Sequence, residues 1–314
     1  MNKKDKRPVA SVLMNCHNSE TYLKEAIDSV YAQTYGRWEI IFWDNASSDK
    51  SPSIAKSYDS RLNYHRAANK TNLYEARNFA LKKASGEFIA FLDCDDLWMP
   101  DKLEKLIPLF DDPDVGLAYS DAIYFNNEGK SKRLYKTRNY CTGRCFSELL
   151  KNYFLCLQTV VIRRLALDDQ TEWFDPRFNI AGDTDLFRRI AYGWKIDMVN
   201  EPLAKYRIHP STLGSTQSDL LVYEIDCMIE KYNVIFKDFK IRFADEWEAL
   251  KKERNLNKAL KDLKSGNSDL AREAIAPYAL SNIKLFLIYI ATFLPEMFFS
   301  TAMKFRKIIS PLKY

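Results

Sequence analysis

The sequence predicts an α/β fold in which helices flank a mainly parallel sheet, followed by a helical C-terminal region. Between residues 9 and 125, short apolar runs alternate with amphipathic helical patterns, which favours parallel strands joined by right-handed crossovers. Residues 88–92 are uniformly apolar, as is typical of a strand buried on both faces. From about residue 217 onward the pattern is helical.

The helices of the first 125 residues have recognisable starts and stops. Ser19 can cap one helix, Pro100 suits the first turn of another, and Gly86 follows the end of a third. Helices are therefore predicted at residues 20–33, 48–58, 74–84 and 101–111. Strands are predicted at residues 9–14, 39–43, 62–65, 88–92 and 115–125.

The chain of 314 residues is long enough for one large α/β domain and an appendage. Residues 126–215 are less regular, with a helix predicted at 183–192 and a returning strand at 202–209. The helical pattern that follows is interrupted at residues 264–267. We therefore expect one α/β domain over residues 1–215 and a helical region over residues 216–314.

The end of the chain is apolar and then basic. Residues 285–295 carry no charge, and a helix of that length spans roughly 16 Å, well short of a ~30 Å hydrocarbon core. The basic residues that follow are Lys304, Arg306, Lys307 and Lys313. This order is typical of a helix on the surface of an anionic membrane. Packing of residues 285–303 against the main domain and a membrane span are the alternatives.

The composition excludes some classes of partner and cofactor. A net charge of +5, from 47 basic and 42 acidic residues, is too small to indicate a nucleic acid partner. The 6 Cys form no CxxC pair and no cluster at zinc spacing. Free thiols in a reduced, cytoplasmic setting are therefore expected. The N-terminal residues lack the apolar stretch of a signal peptide.

Three carboxylates follow the predicted strand 88–92: Asp93, Asp95 and Asp96. Ligands of open α/β sheets bind outside the carboxyl ends of the strands. Crowded carboxylates repel one another unless a cation neutralises them, and oxygen donors select Mg²⁺ or Mn²⁺ over zinc. The alternative is a solvated acidic turn that caps the next helix.

Other polar residues lie at predicted element ends. Asp183 and Asp185 stand near a helix start, where one could act as a general base or both could cap the helix. His209, two residues after Arg207, could bind a metal or a phosphate, or form an ordinary hydrogen bond. Asp44 could bind a base or a ribose, or could form a turn.

Taken in order, these segments resemble the family 2 glycosyltransferases of GT-A fold. The matching motifs occupy residues 15–18, 33–35, 43–49, 72–78, 86–96, 182–186 and 206–209. The resemblance covers roughly residues 8–215, and its strength is the order and spacing of seven motifs that are each weak alone. Asn15 and His17 replace Pro and Tyr of the first motif, and Asn45, Asn72 and Gly182 replace Asp, Gly and Glu of later ones.

The resemblance implies an inverting transfer from a nucleoside diphosphate sugar, with UDP favoured, that depends on Mn²⁺ or Mg²⁺. It makes Asp183 the catalytic base. The metal ligands that it implies are Asp95, Asp96 and His209, and the nucleotide-binding residues are Asp44, Asp93, Asn15, Arg77 and Arg207. The apolar and basic tail suggests a saccharide or lipid-linked saccharide acceptor, used in surface polysaccharide assembly at the inner membrane face.

Three other classes of protein compete with this interpretation. A sugar-nucleotide nucleotidyltransferase would normally have a Gly-rich loop after its first strand, and residues 15–20 contain no Gly. A non-catalytic module that binds nucleotide sugars would lack donor hydrolysis. A membrane-tethered structural protein has no need for ordered acidic sites.

Overall fold

The computed structural model describes residues 9–134, 140–209 and 220–294. Its strands are β1 (Ala10–Cys16), β2 (Trp38–Asp44), β3 (Leu62–Arg66), β4 (Phe88–Phe91), β5 (Leu97–Trp98), β6 (Val115–Phe125), β7 (Ser131–Arg133), β8 (Val161–Arg163) and β9 (Lys195–Arg207). The helices that accompany them are α1 (Leu23–Tyr31), α2 (Ser51–Ala55), α3 (Leu73–Leu81), α4 (Lys102–Leu106), α5 (Phe146–Lys151), α6 (Arg164–Asp168) and α7 (Gly182–Gly193).

Within the described residues, nine strands form one sheet in the order β3-β2-β1-β4-β8-β6-β9-β5, with β7 paired to β6. Strands β3, β2, β1 and β4 are parallel neighbours, and so are β6 and β9. The short strands β5, β7 and β8 run antiparallel to their neighbours. The predicted fold class is therefore confirmed, and the sheet is mixed because of these three strands, which the sequence analysis did not predict.

The apolar patterns that predicted the elements form the core. Every residue of β4 is buried, as expected of a strand covered on both faces. The buried face of α1 consists of Leu23, Ala26, Ile27 and Val30, which recur at helical spacing. The predicted helix 101–111 is shorter than expected: α4 ends at Leu106 and continues as a 3₁₀ turn, Ile107–Asp111. Pro108 lacks the N–H donor that a continuing α-helix needs.

The chain divides into two compact units, Met1–His209 and Pro210–Tyr314. The predicted domain boundary at residues 215/216 lies outside the described residues and stays a prediction. The described part of the second unit is helical, as predicted. Its helices are α8 (Leu221–Ile235), α9 (Phe239–Arg242), α10 (Ala244–Lys264), α11 (Ser268–Ile275) and α12 (Ile283–Ala291). Residues of α10, α11 and α12 share a hydrophobic core.

In the part of the chain that the structure describes, every helix is too short or too polar to cross a membrane. Residues 295–303 of the predicted tail, and the cations that follow them, lie outside the described residues.

The expectation of free thiols throughout is wrong for one pair of cysteines. Cys141 and Cys145 form a disulfide with their Cα atoms 6.0 Å apart, a separation that disulfide geometry allows. Gly143 lies between them with φ +84°, so the chain turns tightly enough to bring the two side chains together. Cys16, Cys94, Cys156 and Cys227 are free.

Candidate active site

Parallel pairing brings several predicted residues to one edge of the sheet. Cys16 lies opposite Asp44 at the ends of β1 and β2. Strand β4 pairs with β1 and ends at Phe91, two residues before Asp93. Because the carboxyl ends of parallel strands share an edge, a ligand at that edge can contact loops that are far apart in the sequence.

The side chains of Asp95 and His209 meet although 114 residues separate them. Nε2 of His209 lies 2.8 Å from Oδ2 of Asp95, and both side chains are partly exposed. Burial and then the charge of Asp93 raise the pKa of Asp95, and His209 opposes this shift. Two of the three predicted metal ligands are therefore close together.

Asp96, the third predicted ligand, points into the protein. Its Oδ1 accepts a hydrogen bond of 2.6 Å from the backbone N–H of Arg207. Its Oδ2 is buried and has no hydrogen-bond partner among the described residues. Burial, together with the charges of Asp95 and Asp93, raises the pKa of Asp96 well above its usual range. Asp96 thus attaches residues 93–96, called the acidic loop, to the end of β9, and its direct contact with a metal stays a prediction.

Asp95 and His209 offer a donor set that fits a divalent cation. A carboxylate oxygen and an imidazole nitrogen both suit Mn²⁺, and the carboxylate suits Mg²⁺. Within residues 9–134, 140–209 and 220–294, no group of three or more His, Cys, Asp or Glu side chains could hold a metal ion. A cation at Asp95 and His209 would therefore need further oxygen ligands, which the phosphates of a substrate can supply.

Arg207 is buried and its guanidinium is bonded to three parts of the protein. Nε donates to the carbonyl of Asp95 at 2.9 Å, Nη1 to Oδ1 of Asn127 at 3.0 Å, and Nη2 to Oε2 of Glu25 at 2.8 Å. The guanidinium also lies 4.2 Å from the centre of the Tyr22 ring. Arg207 therefore ties the acidic loop to α1 and to the end of β6, and its predicted contact with the nucleotide stays a prediction.

Asp93 is held on both carboxylate oxygens by buried donors. Nη2 of Arg77 lies 2.7 Å from Oδ1, and Nε2 of Gln158 lies 3.0 Å from Oδ2. The backbone carbonyl of Gln158 in turn accepts the indole N–H of Trp98 at 3.0 Å. These contacts fix the orientation of Asp93. The sequence analysis missed Gln158, because it lies in a single 3₁₀ turn, Leu157–Thr159, that no pattern marks.

Asp183 lies in the first turn of α7 and is partly buried. Its Oδ1 lies 2.9 Å from the N–H of Thr184 and 3.1 Å from the hydroxyl of Tyr74, both of which can donate to it. Burial raises the pKa of Asp183, Arg77 opposes the shift, and Asp93 adds to it. A carboxylate with a raised pKa is suited to accept a proton near neutral pH.

The neighbours of Asp183 explain two features of its motif. Gly182 lies against Tyr74, and a Cβ at this position would stand 2.7 Å from the tyrosine ring. The Glu that the resemblance places there could not fit without moving Tyr74. Asp185 is buried and forms an ion pair with Arg189 at 3.0 Å. It therefore has a structural partner, and Asp183 is the better candidate for a base.

Asp44 is fully buried at the end of β2. Its Oδ1 accepts from the N–H of Ser47 at 2.8 Å, and its Oδ2 accepts from Tyr64 at 2.6 Å and from Arg66 at 2.5 Å. Burial raises the pKa of Asp44, but these hydrogen bonds outweigh it and hold the pKa below its usual range. Because Asp44 is fully buried, a nucleobase could contact it only after neighbouring side chains moved. The predicted contact of Asp44 with the nucleobase stays a prediction. The predicted nucleotide contact of Asn15, whose Nδ2 is buried without a partner among the described residues, also stays one.

The loop after Asp44 contains a strained residue. Ala46 has φ +60°, a left-handed conformation that costs a residue with a Cβ about 1–2 kcal/mol. We therefore expect Ala46→Gly to raise the free energy of unfolding by about 1 kcal/mol, which denaturant titration of the full chain measures. Ala46→Ser keeps the Cβ and serves as the control. Equal stabilities of the Gly and Ser variants would contradict this prediction.

The chain is similar to known proteins in sequence and in fold. Residues 11–170 match the family model described as Glycosyl transferase family 2. A relative from Escherichia coli, UDP-Glc:alpha-D-GlcNAc-diphosphoundecaprenol beta-1,3-glucosyltransferase WfgD, is 31% identical over 212 residues, which cover 67% of this chain and 81% of that protein.

Two solved structures share the fold. S. aureus TarS 1–349, in complex with UDP-GlcNAc, has a TM-score of 0.59 at 18% identity, with 87% of this chain and 92% of that chain covered. Mannosyltransferase PcManGT from Pyrobaculum calidifontis, in complex with GDP-Man and Mn²⁺, has a TM-score of 0.60 at 18% identity, with 88% and 76% covered. These matches confirm the fold that the resemblance implied.

Proposed function

Because the chain is a glycosyltransferase that belongs to glycosyl transferase family 2, we propose that it transfers a sugar from a nucleoside diphosphate sugar to an acceptor hydroxyl, with inversion at the anomeric carbon. UDP is the favoured nucleotide, since the E. coli relative is named for UDP-Glc and TarS binds UDP-GlcNAc. The observation that carries the proposal is the 2.8 Å contact between the side chains of Asp95 and His209. Two residues before Asp95, Asp93 forms an ion pair with Arg77. The charge of Arg77 also lowers the pKa of Asp183, opposing the effect of burial.

Asp183 is the proposed general base. Its Oδ1 is engaged by Tyr74 and Thr184, so Oδ2 is the oxygen left to accept a proton. The acceptor oxygen attacks the anomeric carbon as Asp183 takes its proton, and the bond from that carbon to the diphosphate oxygen breaks. One displacement from the opposite face inverts the anomeric centre. The raised pKa of Asp183 makes it a stronger base than an exposed carboxylate.

Asp95 and His209 are the proposed ligands of Mn²⁺ or Mg²⁺, with Asp96 supporting or sharing that role. When bound, the cation would offset the charge that develops on the leaving diphosphate. Arg207 holds the loop that carries Asp95, because it donates to the carbonyl of Asp95 and to the carboxylate of Asp96.

The proposed nucleotide-binding residues are Asp44, Asp93, Asn15, Arg77 and Arg207. We assign the base to Asp44 and the ribose to Asp93. Arg77 and Gln158 then act on the nucleotide through Asp93, because each of them fixes one of its oxygens.

We expect Gln158→Leu to weaken nucleotide binding by about 10-fold or more, since a buried hydrogen bond to a charged group contributes roughly 1.5–3 kcal/mol. Calorimetric titration of UDP in the presence of Mn²⁺ measures the loss. The matched control is Gln170→Leu, because the Gln170 amide donates to the carbonyl of Ala166 and accepts from Arg189, and neither partner is a proposed nucleotide-binding residue. Unchanged UDP affinity in a folded Gln158→Leu variant would contradict the positioning role.

The proposed acceptor is a saccharide or a lipid-linked saccharide used in surface polysaccharide assembly. The printed name of the E. coli relative includes an acceptor carried on diphosphoundecaprenol. An acceptor of that kind lies in a membrane, so we propose that the enzyme works in the cytoplasm, peripheral to the inner membrane face and attached through its C-terminal tail.

A panel of nucleotide sugars tests the proposed reaction. Each donor is added with Mn²⁺, and the shift of the unfolding temperature and the release of nucleoside diphosphate are measured. We expect a UDP-sugar to stabilise the protein and to be hydrolysed slowly without acceptor. A chain that binds but never hydrolyses any donor would be a binding module, and release of pyrophosphate from a nucleoside triphosphate would indicate a nucleotidyltransferase.

A further inference from the structure

Helix α12 is apolar on both of its faces. One face packs against α10 and α11, where Leu285 and Ile288 are buried in the shared core. The other face is exposed to solvent. Its members and their exposed fractions are Ile283 (72%), Phe286 (38%), Leu287 (50%) and Ile290 (43%), followed beyond the helix by Phe293 (55%) and Leu294 (43%). These six residues are called the outer face of α12.

The outer face of α12 differs from an ordinary water-facing helix surface. Such surfaces are normally lined by charged and polar side chains, and a contiguous apolar patch marks an interaction site. The helix is firmly anchored, since its start is capped by Asn282, whose Oδ1 accepts the N–H of Leu285 at 3.0 Å. The apolar side chains are therefore presented on an ordered element.

Charge indicates what covers this face. The charged residue of α12 is a cation, Lys284, and the helix contains no Asp or Glu. In the sequence beyond the outer face, residues 295–314 contain the four cations named above and one acidic residue, Glu296. The four cations and one acid give this segment a net charge of +3, and an apolar face followed by a positively charged segment is complementary to an anionic lipid surface. A second copy of the chain would carry the same net positive charge in this segment, so it lacks the opposite charge that an anionic lipid surface offers.

We propose that the outer face of α12 docks on the surface of an anionic lipid bilayer. The nine residues of α12 would extend about 14 Å along their axis, too short to cross a ~30 Å hydrocarbon core, so the helix lies in the plane of the headgroups. This inference rests on the proposed function only for the membrane location and does not depend on the reaction.

Sedimentation with vesicles tests the docking surface. The full chain is mixed with vesicles of phosphatidylcholine alone or with phosphatidylglycerol added. We expect binding to the anionic vesicles that weakens with salt. The double variant Ile283→Ser/Leu287→Ser, called the face variant, should have an at least tenfold lower partition coefficient. The matched control is Val234→Ser/Ile241→Ser, which removes two more exposed side chains (84% and 81%) from other helices. Thermal unfolding verifies that both variants fold.

Three outcomes would overturn the inference: no binding of the parent chain to anionic vesicles, equal binding by parent and face variant, or equal losses in the face variant and the control. Light scattering after gel filtration tests whether a second copy of the chain covers this face instead. A dimer that forms in the parent and in the control variant but not in the face variant would make this face an interface between copies, and would also overturn the inference. Donor hydrolysis by the face variant is expected to equal that of the parent, so failure of docking and failure of the proposed reaction are distinguishable.

Discussion

Asp183→Asn should lower kcat for sugar transfer by about 10²- to 10⁴-fold, the range that a positioned general base contributes. Asn keeps the size of the side chain and can still accept hydrogen bonds from Tyr74 and Thr184, but it cannot take a proton from the acceptor. The affinity for nucleotide and Mn²⁺ should be unchanged. Steady-state transfer and calorimetric UDP binding, measured on the same preparation, check both statements.

The matched control is Asp185→Asn, two residues further along α7. Asp185 is buried in an ion pair with Arg189, so its loss leaves a buried cation without its partner and should cost about 3–5 kcal/mol of stability. The folded fraction should nevertheless keep its kcat. If Asp183→Asn transferred sugar as fast as the parent, Asp183 could not be the base.

The pH dependence of transfer gives a second test of the same residue. The deprotonated carboxylate is the active form, so kcat should fall as the pH drops through the pKa of Asp183 in the folded protein. Burial raises that pKa, so the fall should begin at a higher pH than the ~3.9 of an unperturbed Asp would give. In the Asp183→Asn variant, the residual kcat should no longer show this fall at low pH.

Local patterns predicted the strands before Asp93 and Asp44 and the helix that carries Asp183, but β9, predicted at residues 202–209, spans Lys195–Arg207. The apolar run before Asp93 and the run that ends at Asp44 became β4 and β2, because burial of several consecutive apolar residues outweighs other local preferences. The helix that starts at Gly182 was also predicted to within one residue. The sequence alone therefore places the carboxylates that follow β2 and β4 at one edge of the sheet.

Contacts between distant segments could not be predicted in the same way. The pairing of Asp95 with His209 spans 114 residues and was suggested only by resemblance to a family. The bonds from Gln158 to Asp93 and from Arg207 to Glu25 depend on how β8 and β9 pack, and neither polar residue lies in a periodic pattern. The contacts of such side chains depend on how distant segments pack together, and the local spacing of residues in one sequence does not reveal that packing.

The side chain of Asp95 is partly exposed, whereas its backbone is held in place by the protein. Its side chain meets His209, while its backbone carbonyl is held by Nε of Arg207. Removing the Asp95 side chain leaves this backbone contact and the bond between Asp96 and Arg207 in place. Substitution of Asp95 should therefore change ligand binding without unfolding the loop, whereas substitution of the buried Asp96 should also lower stability.

Asp95→Ala should abolish the part of nucleotide binding that depends on Mn²⁺ and should lower kcat/KM by about 10³-fold or more, because a bound cation contributes several kcal/mol to charge stabilisation. UDP affinity is measured with Mn²⁺ and with EDTA, and the two values should converge in the variant. The control is Asp101→Ala, another partly exposed carboxylate, which pairs with Lys105 on α4.

His209→Ala should reproduce the effect of Asp95→Ala, and the double variant should add little to either single one, because two ligands of one ion act as a unit. Additive losses would instead indicate two separate binding functions. If Mn²⁺ still strengthened UDP binding in a folded Asp95→Ala variant, the cation would have to bind elsewhere. In that case the contact between Asp95 and His209 would serve to hold the end of β9 against the acidic loop, next to the bond between Arg207 and Asp96.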